Sequence, residues 1–274
     1  MTLKFLKRNV TLIIGAVIVS TLLLMLVVSF FYLPHDVNEM VITDRFSPPS
    51  GTYLMGTDNF GRDVFSRIMK GSQTAFMVGA VSMLFAISIG VLLGAIAGYL
   101  GGWLDELIMR MVDVLMAFPT ILLALVFIAV FGVSTTNTLI AIGLRAIPTF
   151  ARITRSGFMQ YKEFEFVKAA RSLGSSPVRI MFLHILPNTL SPILIAASLG
   201  FATAILAEAG LSYLGLGIQP PHPSWGSMLR EAQSYMTRAP WYTYAPGIMI
   251  TLSVLGFNLL GDGIRDLRDP RRQK

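Results

Sequence analysis

The sequence has no cysteine and few charged residues. Its 274 residues include 22 Lys and Arg and 15 Asp and Glu, so that 14% of the chain is charged, against about 25% in a soluble domain. The lack of cysteine excludes disulfides and thiolate metal sites. Hydrophobic residues make up 54% of the chain. This composition predicts an all-α integral membrane protein with several spans of roughly 20 residues each.

Sequence patterns of common catalytic and ion-binding sites are also missing. No glycine is followed by lysine, which excludes the phosphate-binding loop G-x-x-x-x-G-K-S/T. The patterns H-E-x-x-H and G-x-S-x-G are absent as well. The three histidines, His35, His184 and His222, fall in three different segments. We therefore predict that this chain has no catalytic residue, no metal site and no cofactor of its own.

The net charge of +7 comes from basic residues that lie between apolar runs. The N-terminal tail, the segment 151–187 and the C-terminal tail are each net positive, whereas the two large loops on the other side are nearly balanced. This asymmetry fits the positive-inside rule better than nucleic-acid binding. We therefore expect contact with a lipid bilayer, no nucleic-acid partner, and both termini in the cytoplasm.

Six apolar runs predict six transmembrane helices. They lie roughly at 12–33, 73–99, 108–131, 138–150, 188–211 and 243–260. Residues 1–72 are expected to form an N-terminal tail, the first span and an outer segment, and residues 73–274 a core domain with five spans. In the second span, Gly90, Gly94 and Gly98 recur every four residues. Such spacing lets two helices approach closely, either within the chain or between subunits.

Three ionisable residues, Asp113, Arg145 and Glu208, fall within or near the predicted spans. Intramembrane charges usually face a protein interior or a water path, so all three are candidates for a translocation path. We expect Asp113 near the cytoplasmic interface and Glu208 toward the outer end of the fifth span. Arg145 lies midway along the fourth span, where it can meet a substrate carboxylate or backbone carbonyls. An internal ion pair or a snorkelling side chain is the alternative.

The basic segment 151–187 is predicted to contain two short helices that meet at a glycine. Residues 163–173 have helical spacing, and Gly174 is placed to end that helix in the left-handed conformation. Ser176 can cap the second helix with Pro177 at its first position, and we expect this helix to stop before Pro187. Residue patterns alone leave two interpretations open: a loop on the inner leaflet, or a rigid knob offered to a cytoplasmic partner.

This segment resembles the EAA loop of ABC-importer permeases, a motif with an acidic residue, two alanines, a glycine and an Ile-x-Pro ending. Lys168 stands where that motif usually has glutamate, and Ile185 and Pro187 form its ending. In the family this loop forms the coupling helices that fit a cleft on the ATPase subunit. The resemblance therefore implies an ATPase-coupling role for a set of residues in this loop. They are Lys168, Ala169, Ala170, Arg171, Leu173, Gly174 and Pro177.

Four further stretches extend the resemblance over almost the whole chain. They are LMGTDNFGRDVFSRIMKGSQTA, MRMVDVLMAFPTILLAL, AEAGLSYLGLGIQPPHPSWGSML and APWYTYAPGIMITLSVLGFNLLGDGIRDLRDP. They are similar to the second permease of peptide/nickel-type importers. The first stretch is expected to make a tight turn at Gly61 and to pack near the gate or under the binding protein, with Arg62 and Asp63 opening the next helix.

The resemblance implies the ABC-importer type I permease fold in a bacterial or archaeal cytoplasmic (inner) membrane. It implies alternating access and a path for di- or oligopeptides. The implied partners are a homologous second permease, two cytoplasmic ABC ATPase subunits that bind ATP, and an extracytoplasmic substrate-binding protein. A nickel or metal-chelate cargo is the alternative within the family.

Two other classes of membrane protein fit the sequence less well. An ion-coupled secondary transporter would need intramembrane carboxylates and usually an inverted repeat. A channel would need a selectivity element such as a ring of charges.

Overall fold

A computed structural model describes residues 10–268, and this part of the chain is almost entirely helical. Its helices are α1 (Val10–Phe31), α2 (Val64–Leu100), α3 (Gly102–Ala117), α4 (Thr120–Phe131), α5 (Thr135–Tyr161), α6 (Glu165–Ser172), α7 (Pro177–Tyr213), α8 (Trp225–Ala232) and α9 (Pro240–Arg268). The expected all-α class is confirmed. The ends of the two predicted cytoplasmic tails, residues 1–9 and 269–274, lie outside the described residues.

The long helices run back and forth between two ends of one bundle. We call the end around Gly174 the corner end and the opposite end, around Arg62, the clamp end. Helices α2, α5 and α9 run from the clamp end toward the corner end, and α1, α7 and the α3–α4 pair run the other way. The six predicted spans correspond to these six traverses.

Not every traverse has the same apolar character. Helices α1, α2, α7 and α9 are each long and apolar enough to cross a membrane, and α3 with α4 makes a fifth candidate that is bent by 93° at its break. Pro119 lies at this break, where a missing N–H and a fixed φ interrupt the helix. Helix α5 has 27 residues but carries Arg145, Arg152 and Arg155, so it is the most polar traverse.

Helices α2 and α5 pack side by side along Gly90, Gly94 and Gly98 of α2. A Cβ atom at Gly90 would lie 2.8 Å from the carbonyl oxygen of Ile147, and one at Gly98 would lie 2.6 Å from that of Arg155. Gly94 is equally close to the backbone of Ala151. Only glycine permits such an approach. The sequence left open whether this glycine spacing serves packing within the chain or between subunits. In the structure it serves packing within the chain.

Two helices extend further than hydropathy predicts. Helix α2 begins at Val64 rather than near Gln73, because the carboxylate of Asp63 caps it and accepts a 2.9 Å hydrogen bond from the Ser66 N–H. Helix α5 continues to Tyr161 instead of ending near Phe150, since its later residues are buried against α2 and α7. The second half of α5 therefore belongs to the bundle, although its charges suggested a loop.

Helix α7 is continuous through Pro187, so the expectation that it would stop before this residue is wrong. Residues Ile180–Ile185 form a π-helical turn, and the Leu186 N–H donates to the Met181 carbonyl oxygen. Regular α-helix resumes at Leu186, which puts Pro187 in a first turn where its missing N–H is tolerated. The second helix of the basic segment and the fifth span are thus one rod of 37 residues.

Candidate functional site

The junction between α6 and α7 forms a sharp corner at Gly174. Gly174 has a φ of +78° and donates its N–H to the Arg171 carbonyl oxygen at 3.0 Å, while the Ser175 N–H donates to that of Ala170, also at 3.0 Å. This pair of bonds is the Schellman ending of a helix. Ser176 then caps α7 by accepting from the Arg179 N–H, with Pro177 at the first position. The local geometry predicted for this corner is confirmed.

The corner stands on a buried apolar footing. Val167 of α6 and Ile180 and Ile185 of α7 are almost fully buried, together with Ala95 of α2 and Phe158 of α5. This cluster joins the corner to the ends of two long helices. A force applied at the corner is therefore delivered to α2, α5 and α7 together, since a packed apolar cluster does not deform easily.

The outer surface of the corner is unusually apolar for an exposed turn. The side chains of Leu173 and Val178 are 87% and 65% exposed, with Gly174 between them in the chain. Ala169 is exposed and Ala170 is half-buried, so a shallow small-residue surface lies beside these two side chains. Exposed aliphatic groups next to a shallow surface favour contact with another surface.

Lys168 forms an ion pair within α6. Its Nζ lies 3.1 Å from Oε1 of Glu165, three residues earlier, and both side chains are exposed. Lys168 thus places a cation where the EAA motif has a glutamate, and Glu165 supplies a carboxylate about one helical turn away. Arg171 is also exposed, so α6 presents two cations and one carboxylate on its free surface.

Arg145 lies between two partly open cavities of the bundle. The clamp-side cavity, of about 430 Å³, extends from Arg145 and Thr203 to Tyr213 and is walled by α4, α5 and α7. The corner-side cavity, of about 390 Å³, extends from the same two residues to Leu115 and Ile153 and is walled by α3, α5 and α7. Arg145 and Thr203 line both cavities, and we call this pair the waist.

The structure does not bring the other two ionisable candidates to the waist. Asp113 on α3 is exposed and pairs with Arg152 of α5. Glu208 is fully buried near the clamp end, where it accepts a 2.6 Å hydrogen bond from the Ser212 hydroxyl. Neither residue lines the two cavities at Arg145. Of the three residues, Arg145 is therefore the one that lines these cavities.

A buried ionic network at the clamp end was missed by sequence reasoning. Arg62 pairs with Asp58 and, at 2.7 Å, with Glu231 of α8. Arg67 lies 3.7 Å from the same Glu231 carboxylate, which also accepts a 2.8 Å hydrogen bond from the Tyr242 hydroxyl. Two arginines just before an apolar run are the local signal of such a network. Their shared partner Glu231 is 169 residues from Arg62 along the chain, and no local pattern identifies it.

This network, which we call the clamp, ties the segment before α2 to α8 and α9. Gly61 makes the tight turn expected of it, with a φ of +76° and no room for a side chain beside Val41. The indole N–H of Trp225 donates to the carbonyl oxygen of Ile68, and that of Trp241 donates to the carbonyl oxygen of Thr57. The clamp end is therefore a rigid platform made from three parts of the chain.

Comparisons with known proteins agree with this geometry. Residues 90–274 match the family described as binding-protein-dependent transport system inner membrane component. The chain is 44% identical over 268 residues to the dipeptide transport system permease protein DppC of Alkalihalophilus pseudofirmus, covering 98% of this chain and 88% of the relative. It is 41% identical to the glutathione transport system permease protein GsiD of Pectobacterium atrosepticum, covering 98% and 89%.

The fold is similar to that of a solved transporter chain. A chain of the MetNI methionine ABC transporter in an inward-facing conformation superposes with a TM-score of 0.60 at 18% identity. The match covers 72% of this chain and 94% of that one. At this identity the likeness concerns the fold.

Proposed function

The chain belongs to the family of binding-protein-dependent transport system inner membrane components, and from this premise we propose that it forms one half of the peptide path of an ABC importer. It is a multi-pass inner-membrane permease and not an enzyme. The peptide cargo is supported by the two relatives above, whose names give dipeptides and glutathione as their substrates. A second permease, homologous to this chain, would supply the other half of the path.

The single observation that carries the coupling role is the corner at Gly174. We propose that the set Lys168, Ala169, Ala170, Arg171, Leu173, Gly174 and Pro177 contacts one of two cytoplasmic ATPase subunits. The exposed side chains of Leu173 and Val178 and the adjacent alanines fit a shallow apolar cleft on such a subunit. The buried footing then carries motion of the ATPase into α2, α5 and α7. This arrangement orients the corner end, and with it both termini, toward the cytoplasm.

The clamp end would face the extracytoplasmic binding protein. Its buried ion pairs and indole hydrogen bonds make a surface that keeps its shape while helices below it move. ATP bound by the partner subunits can drive the cycle only because it binds one conformation of the complex more tightly than the other. The Asp113–Arg152 contact joins the half of the broken span nearer the corner to α5. We propose that Asp113 and the buried Glu208 position helices around the path and do not contact the substrate.

Reconstitution tests this function directly. The permease, its partner permease, the ATPase subunits and the binding protein are placed in proteoliposomes, and uptake of a radiolabelled dipeptide is measured. We expect uptake that requires both ATP and the binding protein. Uptake driven by a proton or sodium gradient without ATP would contradict the proposal. Uptake of a nickel chelate with exclusion of dipeptides would instead support the alternative cargo.

A further inference from the structure

We propose that Arg145 binds the C-terminal carboxylate of the peptide substrate as it passes the waist. This inference rests on the proposed peptide import and adds a specific contact to it. The waist lies where the clamp-side and corner-side cavities meet, and both are lined by Arg145 and Thr203. A substrate that moves from one cavity to the other therefore passes the guanidinium group.

The first argument is that Arg145 has no anionic partner in the described part of the chain. Other arginines of the bundle are paired: Arg152 with Asp113, Arg155 with Asp105, and Arg62 with Asp58 and Glu231. Arg145 is half-buried and makes no such contact among residues 10–268. Partial burial of a cation without a partner is unfavourable. An anion supplied by another molecule would relieve this.

The second argument is the contrast between this charge and its surroundings. The clamp-side cavity is lined by aliphatic residues from α4, α5 and α7, such as Ile121, Ile142 and Leu206. Arg145 is the one charged side chain that lines either cavity. In apolar surroundings a guanidinium attracts a carboxylate more strongly than it does in water. The cavity thus has a single strong polar recognition element.

The third argument concerns which anion fits. The substrates of one peptide transporter differ in their side chains, and the main-chain carboxylate is the anion that all free peptides share. The planar guanidinium group matches a carboxylate with two parallel hydrogen bonds. The apolar walls accept varied side chains without selecting among them. Volumes of about 430 and 390 Å³ lie within the range of roughly 300–1,000 Å³ that suits small ligands.

The test compares one dipeptide with a free C-terminus and the same dipeptide as its C-terminal amide. ATP-driven uptake of each is measured in proteoliposomes that contain the complete transporter and its binding protein. The quantity of interest is the ratio of acid to amide uptake, compared between the native chain and Arg145→Gln. The same binding protein serves both, so its own preference cancels. We expect the variant to lower this ratio roughly tenfold to a hundredfold, as loss of a hydrogen-bonded charge pair predicts.

Two further variants make the result specific. Arg145→Lys keeps the cation but not the two-pronged geometry, so we expect it to retain part of the preference for the acid. Arg110→Gln removes an exposed arginine that pairs with Glu106 on α3, and we expect its ratio to equal that of the native chain. Because the readout is a ratio, a variant with reduced yield still reports on the carboxylate.

Three outcomes overturn the inference and leave the proposed function intact. The native transporter takes up acid and amide equally well; or Arg145→Gln lowers both rates by the same factor; or Arg145→Gln leaves both unchanged. Equal loss of both rates would mean that Arg145 serves the structure or assembly of the complex and does not recognise the carboxylate of the substrate. A native complex that imports no peptide at all would refute the proposed function itself, which is a separate result.

Discussion

Lys168 shows how a departure from a motif is compensated by an adjacent residue. It pairs at 3.1 Å with Glu165, and both side chains are exposed. Exposed pairs of this kind contribute about 0.2–0.5 kcal/mol. The lysine therefore has little influence on folding, and its effect on function depends on the surface that meets α6.

We expect Lys168→Glu to be tolerated, because it restores the usual residue of the motif. The free energy of unfolding should fall by no more than about 1 kcal/mol, since one exposed pair is lost and a like-charge pair with Glu165 is gained. ATP-driven peptide uptake and thermal unfolding in detergent measure the two effects. Glu165→Gln is the matched control, because it breaks the same pair and leaves the lysine in place. Failure of the complex to assemble in Lys168→Glu alone would show that the lysine has a specific partner.

Unlike the exposed pair of Lys168 and Glu165, the carboxylate of Glu231 is shared by buried groups. It neutralises Arg62 and accepts from the Tyr242 hydroxyl. We expect Glu231→Gln to destabilise the protein by about 1–3 kcal/mol, since charged donors lose their acceptor in a poorly solvated place. Thermal unfolding in detergent provides the measurement. Glu106→Gln, which breaks the exposed pair with Arg110, should change stability by about 1 kcal/mol at most. Equal effects of the two variants would mean that the clamp is not a stabilising unit.

At the scale of elements, the corner between α6 and α7 follows from three neighbouring residue types. Glycine ends one helix, and the sequence Ser-Pro begins the next. These signals are local, and the structure confirms them. The π-helical turn that continues α7 through Pro187 has no comparable signal. It depends on Ile180, Met181 and Ile185 being held in the buried footing.

We expect Gly174→Pro to abolish ATP-driven uptake while the chain still inserts into the membrane. Proline requires a φ near −65°, whereas Gly174 has a φ of +78° and donates its N–H to Arg171. Both ends of the corner would be displaced from the ATPase. Gly174→Asn is the control at the same position, because asparagine tolerates the left-handed conformation, and it should retain uptake. Normal transport by the proline variant would refute the coupling role of the corner.

On the scale of the whole molecule, six traverses place the corner and the clamp at opposite ends of one bundle. The glycines of α2 hold α5 alongside it, and α3 is tied to α5 through Asp105–Arg155 and Asp113–Arg152. A path for substrate can then run between the ends past Arg145. Opposite ends of a membrane-spanning bundle must lie on opposite sides of the membrane.

The absence of cysteine allows this topology to be tested directly. Thr52, before α2, and Ser172, at the end of α6, are both exposed. We expect Thr52→Cys to react with a membrane-impermeant maleimide added outside intact cells. We expect Ser172→Cys to react only in inverted vesicles, because the corner is proposed to face the cytoplasm. The cysteine-free native chain is the unlabelled control. Labelling of both positions from the same side would refute the six-traverse topology.

The amino-acid sequence alone was sufficient for the class, the apolar traverses and the corner. Hydropathy, helix-stop and helix-start signals act over a few residues, so they are legible without the fold. It also identified Arg145 as a polar residue in an apolar run, but left a polar cavity, an ion pair and a snorkelling side chain as alternatives. The opening of α2 at Arg62 and Asp63 was expected, although the apolar span was placed later, near residue 73. The span that corresponds to α5 was placed too short, because burial of Phe158 outweighs local polarity.

Only the tertiary structure decided which charges are neutralised and which are not. Arg62 finds Glu231 and Arg155 finds Asp105 across gaps in sequence that no local pattern bridges. Arg145 is left between two cavities with no carboxylate beside it in the described residues. The physical reason is that electrostatic energy depends on distance in space and on burial. Both of these arise when α3, α5, α7 and α8 pack together.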